Sequence, residues 1–103
     1  MSDRLTKLLK ILVAEPDDAF THYGVAQEYA KLGDVPKACE HFDHCLATDP
    51  NYCYAYYHKA KTLADNDHTP EAIATLKSGI ETAHRVNDGK ALGELTSLLD
   101  SLT

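Results

Sequence analysis

The 103-residue chain has no cluster of lysine and arginine; ten basic residues are scattered singly among sixteen acidic ones, for a formal charge of −6. Binding nucleic acid irrespective of sequence needs a basic footprint on the phosphates, so nucleic acid is not an expected partner. No stretch approaches the roughly 18 consecutive apolar residues of a spanning helix, and no membrane partner is expected. Cys39, Cys45 and Cys53 are odd in number and contain no C-x-x-C pair. That spacing gives neither a disulfide framework nor a standard zinc knuckle, and reduced thiols in a cytoplasmic setting are the simpler expectation. The apolar stretch near the N-terminus is interrupted by Lys7 and Lys10 and flanked by Asp3 and Glu15, which is not the pattern of a signal peptide. G-x-S-x-G, G-x-x-x-x-G-K-[ST], G-x-G-x-x-G and H-E-x-x-H are all missing. Neither an enzyme nor a cofactor is expected.

What is present is enough for a folded core. The hydrophobic set makes up 44% and charged residues 25%, which is not a disordered composition. At this length a single domain is expected.

The apolar pattern reads as six helices. Ser2 can cap a first helix whose Leu5, Leu8, Leu9 and Leu12 follow the i, i+3, i+4, i+7 stripe. Pro16 ends it by pushing Glu15 out of the α region. Asp17 or Asp18 caps a second helix that runs to about Leu32, where Gly33 supplies a left-handed C-cap. Asp34 and Pro36 open a third, which Asp49-Pro50-Asn51 breaks. A fourth runs from about Tyr52 to Ala64. Thr69 caps a fifth, with Pro70 at its start, and the turn Asn87-Asp88-Gly89 separates it from a last helix carrying Leu92, Leu95, Leu99 and Leu102.

Sliding the chain over itself by 34 residues brings its punctuation into register. Pro16 falls on Pro50, Tyr23 on Tyr57, Ala26 on Ala60, Ala30 on Ala64, Pro36 on Pro70 and Ala38 on Ala72. A fixed period of that size marks one supersecondary unit stacked on copies of itself. Residues 19–50 and 53–84 align as two helix–turn–helix units. The first, AFTHYGVAQEYAKLGDVPKACEHFDHCLATDP, resembles a tetratricopeptide repeat. In it Ala26 and Ala38 are the small contacts between the two helices, Tyr29 and Phe42 the large residues beside them, Gly33 the turn and Pro50 the terminator. Ala60, Leu63, Ala72 and Leu76 take those roles in the second unit, which departs from the pattern at Lys59, Asp67, Gly79 and His84.

The resemblance implies an all-α fold: antiparallel helix–turn–helix repeats stacked in a short right-handed superhelix with a C-terminal capping helix. The divisions are a half-repeat at 2–16, repeats at 17–50 and 51–86, and the capping helix at 88–102. It also implies a function: a protein-interaction scaffold holding a peptide or helical segment in a concave groove lined by the first helix of each unit. The groove-facing positions are then Phe20, Tyr23, Gln27 and Lys31, followed by Tyr54, Tyr57, Lys61 and Asp65. Members that grip a C-terminal carboxylate place Lys, Arg and Asn on this stripe. Here the matching positions hold Tyr23, Gln27, Tyr57, His58 and Lys61, so tails of that kind are not supported.

Two alternatives stand beside this reading. The half-repeat has no partner helix, so Leu5, Leu8, Leu9 and Leu12 would leave an apolar edge for a homodimer. His41 and Cys45 are spaced i, i+4, which suits metal chelation on a helix. Against it, Cys45 falls at a core position, and His41 and His44 are expected on an outer face, bonded to water. His22 and His58 are expected to be structural or groove-lining.

Overall fold

The computed structural model describes residues 2–103. They form six helices: α1 (Asp3–Ala14), α2 (Ala19–Lys31), α3 (Val35–Thr48), α4 (Cys53–Asp65), α5 (Thr69–Arg85) and α6 (Gly89–Leu102). There is no strand among the described residues. The helices belong to two compact units, one reaching to Pro50 and the other Asn51–Thr103. In the first, α2 packs on α3 and α1 on α2; in the second, α4 packs on α5, and α6 packs on both.

Four helices start on a side-chain cap. Ser2 Oγ accepts from the Leu5 amide at 3.0 Å, Asp18 from Thr21 at 3.1 Å, Asp34 from Lys37 at 3.1 Å and Asp88 from Ala91 at 3.0 Å. Each satisfies an amide that the helix leaves without a partner. Of the two aspartates offered for α2, Asp18 is the cap. The expectation that Thr69 caps α5 is not met: Thr69 is already helical, and His68 stands at the cap without a side-chain bond. The 34-residue overlay explains this, because it sets His68 opposite Asp34 and Thr69 opposite Val35.

Three of the four turns within the units, α2–α3, α4–α5 and α5–α6, are built alike. Gly33 (φ 77°), Asp67 (φ 65°) and Asn87 (φ 60°) all adopt the left-handed conformation. After each, the next amide reaches back to a carbonyl in the last helical turn: Asp34 to Tyr29 at 3.0 Å, His68 to Leu63 at 2.8 Å, Asp88 to Ala83 at 3.0 Å. This is the Schellman way of closing a helix, for which glycine is the least strained residue.

The buried apolar side chains follow the predicted pattern. Ala26, Ala38, Phe42, Ala60, Ala72 and Leu76 are fully buried, as is Cys45; Tyr29 and Leu63 are nearly so. Leu5 of α1 is buried as well, and Leu8, Leu9 and Leu12 are half-buried, so the expected open leucine edge is largely covered. The large apolar residues of α1 left exposed are instead Ile11 and Val13, the latter at 86%. No helix among the described residues is long and apolar enough to cross a membrane.

Candidate functional site

The residues predicted to face a partner lie on α2 in the first unit and α4 in the second. On α2, Phe20 is 66% exposed, a high value for a large apolar ring. Tyr23 is half-buried and meets the core ring of Phe42 edge-on, with centroids 6.2 Å apart. Gln27 is half-buried, and Lys31 is exposed with its ammonium 3.0 Å from Glu28. The stripe thus has one open aromatic and one anchored to the core.

On α4 the stripe is more enclosed. Tyr54 and Tyr57 are half-buried and meet edge-on at 6.4 Å; Tyr57 also meets the His58 ring at 5.1 Å. The Tyr54 hydroxyl and a Glu94 carboxylate oxygen are both shielded from solvent, and Glu94 acts on the phenol. The carboxylate pushes the phenol up to about 12. Tyr54, expected to face a partner, is therefore engaged with Glu94 of α6. Lys61 and Asp65 are both exposed and pair with each other at 3.5 Å. The i, i+4 spacing allows that pair, and exposed pairs of this kind are weak.

Two polar clusters in the first unit escaped the sequence reading. In one, Glu28, only 5% exposed, accepts from Ser2 Oγ at 2.9 Å, from Arg4 at 2.8 Å and from Lys31 at 3.0 Å. The Lys31 bond, with those of Ser2 and Arg4, holds its carboxyl below the usual range against the opposing effect of burial. Ser2 thus caps α1 and ties it to α2. Gly24 lets α1 come close: a Cβ there would lie 3.2 Å from Leu8 Cδ1.

The other cluster joins three histidines. His22 is 4% exposed; its Nε2 is 2.6 Å from the Pro16 carbonyl oxygen and its Nδ1 is 2.9 Å from His41 Nδ1. The His44 ring stacks on His22 with centroids 3.7 Å apart, and its Nε2 is 3.1 Å from Asp17 Oδ1. His41 also lies over Tyr29 at 5.7 Å. His44 is exposed on the outer face as expected, but its ring is held by His22 and Asp17, and His41 is half-buried against His22 and Tyr29, which corrects the expectation that both bond only to water. The expected spacing signal, His41 with Cys45, does not form a site: Cys45 is fully buried, and desolvation, then the Asp49 charge, pushes its thiol up to about 12. No group of three or more His, Cys, Asp or Glu side chains among the described residues is placed to hold a metal. Three histidines from separate turns of two helices leave no spacing signature; only the register of α2 against α3 brings them together.

Comparison with known proteins decides the family. Residues 19–52 and 41–74 match models of the tetratricopeptide repeat. A tetratricopeptide repeat domain protein of Salinibacter ruber is 36% identical, with 82% of this chain and 94% of that one covered and a TM-score of 0.73. The chain belongs to the tetratricopeptide repeat family. A TPR repeat-containing protein of Pseudomonas aeruginosa is 28% identical over 95 residues, covering 92% of this chain and 90% of the relative. The fold is also that of the TPR2B domain of yeast Sti1, solved in complex with pHsp70: TM-score 0.87, 24% identity, 95% of this chain and 78% of that one covered. As a tetratricopeptide repeat protein the chain is non-enzymatic.

Proposed function

We propose that this tetratricopeptide repeat chain is a protein-interaction module whose partner, a peptide or helical segment, lies along the first helix of each repeat. The contacting residues are Phe20, Tyr23, Gln27 and Lys31 on α2, and Tyr54, Tyr57, Lys61 and Asp65 on α4. The observation that carries this reading is Phe20. A phenylalanine exposed on a repeat helix, one turn from a tyrosine, is the type of anchor that dominates interfaces. Family membership supports it, and the Sti1 domain of the same fold was solved with a protein partner. Gln27 and Lys31 add polar contacts that set orientation.

The test is capture of partners from the source lysate by the wild-type chain and by Phe20→Ala/Tyr57→Ala, with melting temperatures of both. Partners lost from a double variant that still melts cooperatively support the assignment. A variant that keeps every partner removes these residues from the interface.

A second reading is self-association through the edge of α1, where Ile11 and Val13 are exposed. Light scattering at high concentration separates the two: a monomer ends it.

A further inference from the structure

The histidine cluster has a property that follows from its donors alone. The Pro16 carbonyl can only accept a hydrogen bond, so at 2.6 Å His22 Nε2 must carry a hydrogen. A neutral His22 then presents a bare Nδ1 to His41 Nδ1, 2.9 Å away, and His41 must donate through Nδ1. The ring centroids are 5.2 Å apart, the separation of two imidazoles joined edge to edge across that bond.

Protonation can be followed ring by ring. A first proton enters at His41 Nε2 and leaves the bridge intact, now charge-assisted. A second proton has only His22 Nδ1 left, and it would point one N–H at another across 2.9 Å. Both rings cannot be charged while the bond exists. In an unfolded chain nothing prevents it, because both then titrate near the ordinary histidine value of about 6.5.

We propose that His22 and His41 form a proton-sensitive clasp that fastens α2 to α3 and to the Pro16 turn, closed with at most one charged ring and opened by the second proton.

The surroundings agree in sign. His41 is already held below its ordinary value, first by desolvation and then by the nearby His22. Lys37 and His44 act in the same direction, while Glu40 opposes them. On the far side Asp17 Oδ1 lies 3.1 Å from His44 Nε2, and the His44 ring lies face to face with His22 at 3.7 Å. On the α1 side, Arg4 shares Glu28 with Lys31, so that carboxylate is committed to two cations. One excluded proton makes folding less favourable by about tenfold for each pH unit below the histidine range.

Two measurements on the full chain test this. Long-range 1H–15N spectra at pH 7.5 read the tautomers: His22 is expected with hydrogen on Nε2 and His41 on Nδ1. Finding His41 with hydrogen on Nε2 alone overturns the clasp whatever the variants do. Native-state hydrogen exchange at pH 6 and pH 5, corrected for intrinsic rates, then compares the wild type with His41→Gln. The glutamine amide can accept from a charged His22 or donate to a neutral one. Protection of α2 and α3 amides is expected to fall up to about tenfold more in the wild type, while α5 amides change equally in both. Equal losses in α2 and α3 for the two proteins refute the proposal.

Discussion

Alanine at Gly79 and alanine at Gly93 should change stability in opposite directions. Both glycines lie inside helices of the second unit, and glycine there costs about 0.8–1.0 kcal/mol relative to alanine. On propensity alone, each substitution stabilises. At Gly93 nothing lies within 4 Å of the added Cβ, and the full gain of roughly 0.5–1 kcal/mol should appear. At Gly79 the Cβ would sit 2.7 Å from Tyr56 Cβ, 3.1 Å from Tyr56 Cγ and 3.0 Å from Leu95 Cδ2. Carbon atoms in contact stay about 3.5–4.0 Å apart, so the shortfall is roughly 1 Å. Leu95 can turn its methyl away, but Tyr56 Cβ is fixed to the α4 backbone, so α4 and α5 must separate. Overpacking of this kind costs about 1–3 kcal/mol, which outweighs the propensity gain and leaves a net loss of about 1 kcal/mol. Thermal and urea unfolding of the three full-length proteins measure it, and 1 kcal/mol moves a domain of this size by roughly 4–8 °C. A Gly79→Ala protein as stable as Gly93→Ala would show that α4, α5 and α6 do not approach as closely as described.

Other perturbations follow from the same contacts. Ala26 is fully buried on α2, so Ala26→Leu should cost about 1–3 kcal/mol in urea unfolding; no change in midpoint would refute its close packing. Asp67 holds φ 65° without glycine's freedom, and Asp67→Gly should raise the melting temperature, with a gain of roughly 0.5–1 kcal/mol. Glu28→Gln should cost about 1–2 kcal/mol at pH 7, since three donors lose a buried charge. Because the folded carboxyl is held below the ordinary glutamate range, its contribution is complete above that range and is lost as pH falls through the folded value. The gap between variant and wild type should therefore narrow as pH falls through the acidic range, and a constant gap would assign the loss to packing. The formal charge of −6 at pH 7 falls to zero near the sequence isoelectric point of about 5.4, so solubility should be poor near pH 5.5; equal solubility at pH 5 and pH 7.5 contradicts this.

The helices were legible in the sequence because their signals are local. Ser2, Asp18, Asp34 and Asp88 cap, Gly33 turns and Pro16 stops, each acting within a few residues. The period of 34 added which small residues would be buried. The stripe expected to face a partner was legible only as positions. Phe20 is open as expected, but the 34-residue shift that makes Tyr54 equivalent to Phe20 does not foresee Glu94 of α6 beside it. The Glu28 and His22 clusters were not legible as clusters, because the contacts that join their helices span 19 to 27 residues. Such distances are closed by helix register, which a single sequence does not display.

The departures from the repeat divide into two kinds with opposite energetic meaning. Asp67 replaces Gly33 at a left-handed turn and costs strain, since the same backbone is kept with a less suitable residue. Gly79 replaces a small apolar side chain and gives up helix propensity, but it removes atoms where Tyr56 and Leu95 come nearest. The first departure is a defect that the fold tolerates; the second is a requirement set by a large residue on a neighbouring helix. Pattern matching scores both as mismatches. Only the distance to the nearest side chain separates them, which is why restoring the repeat residue should stabilise at position 67 and should destabilise at position 79.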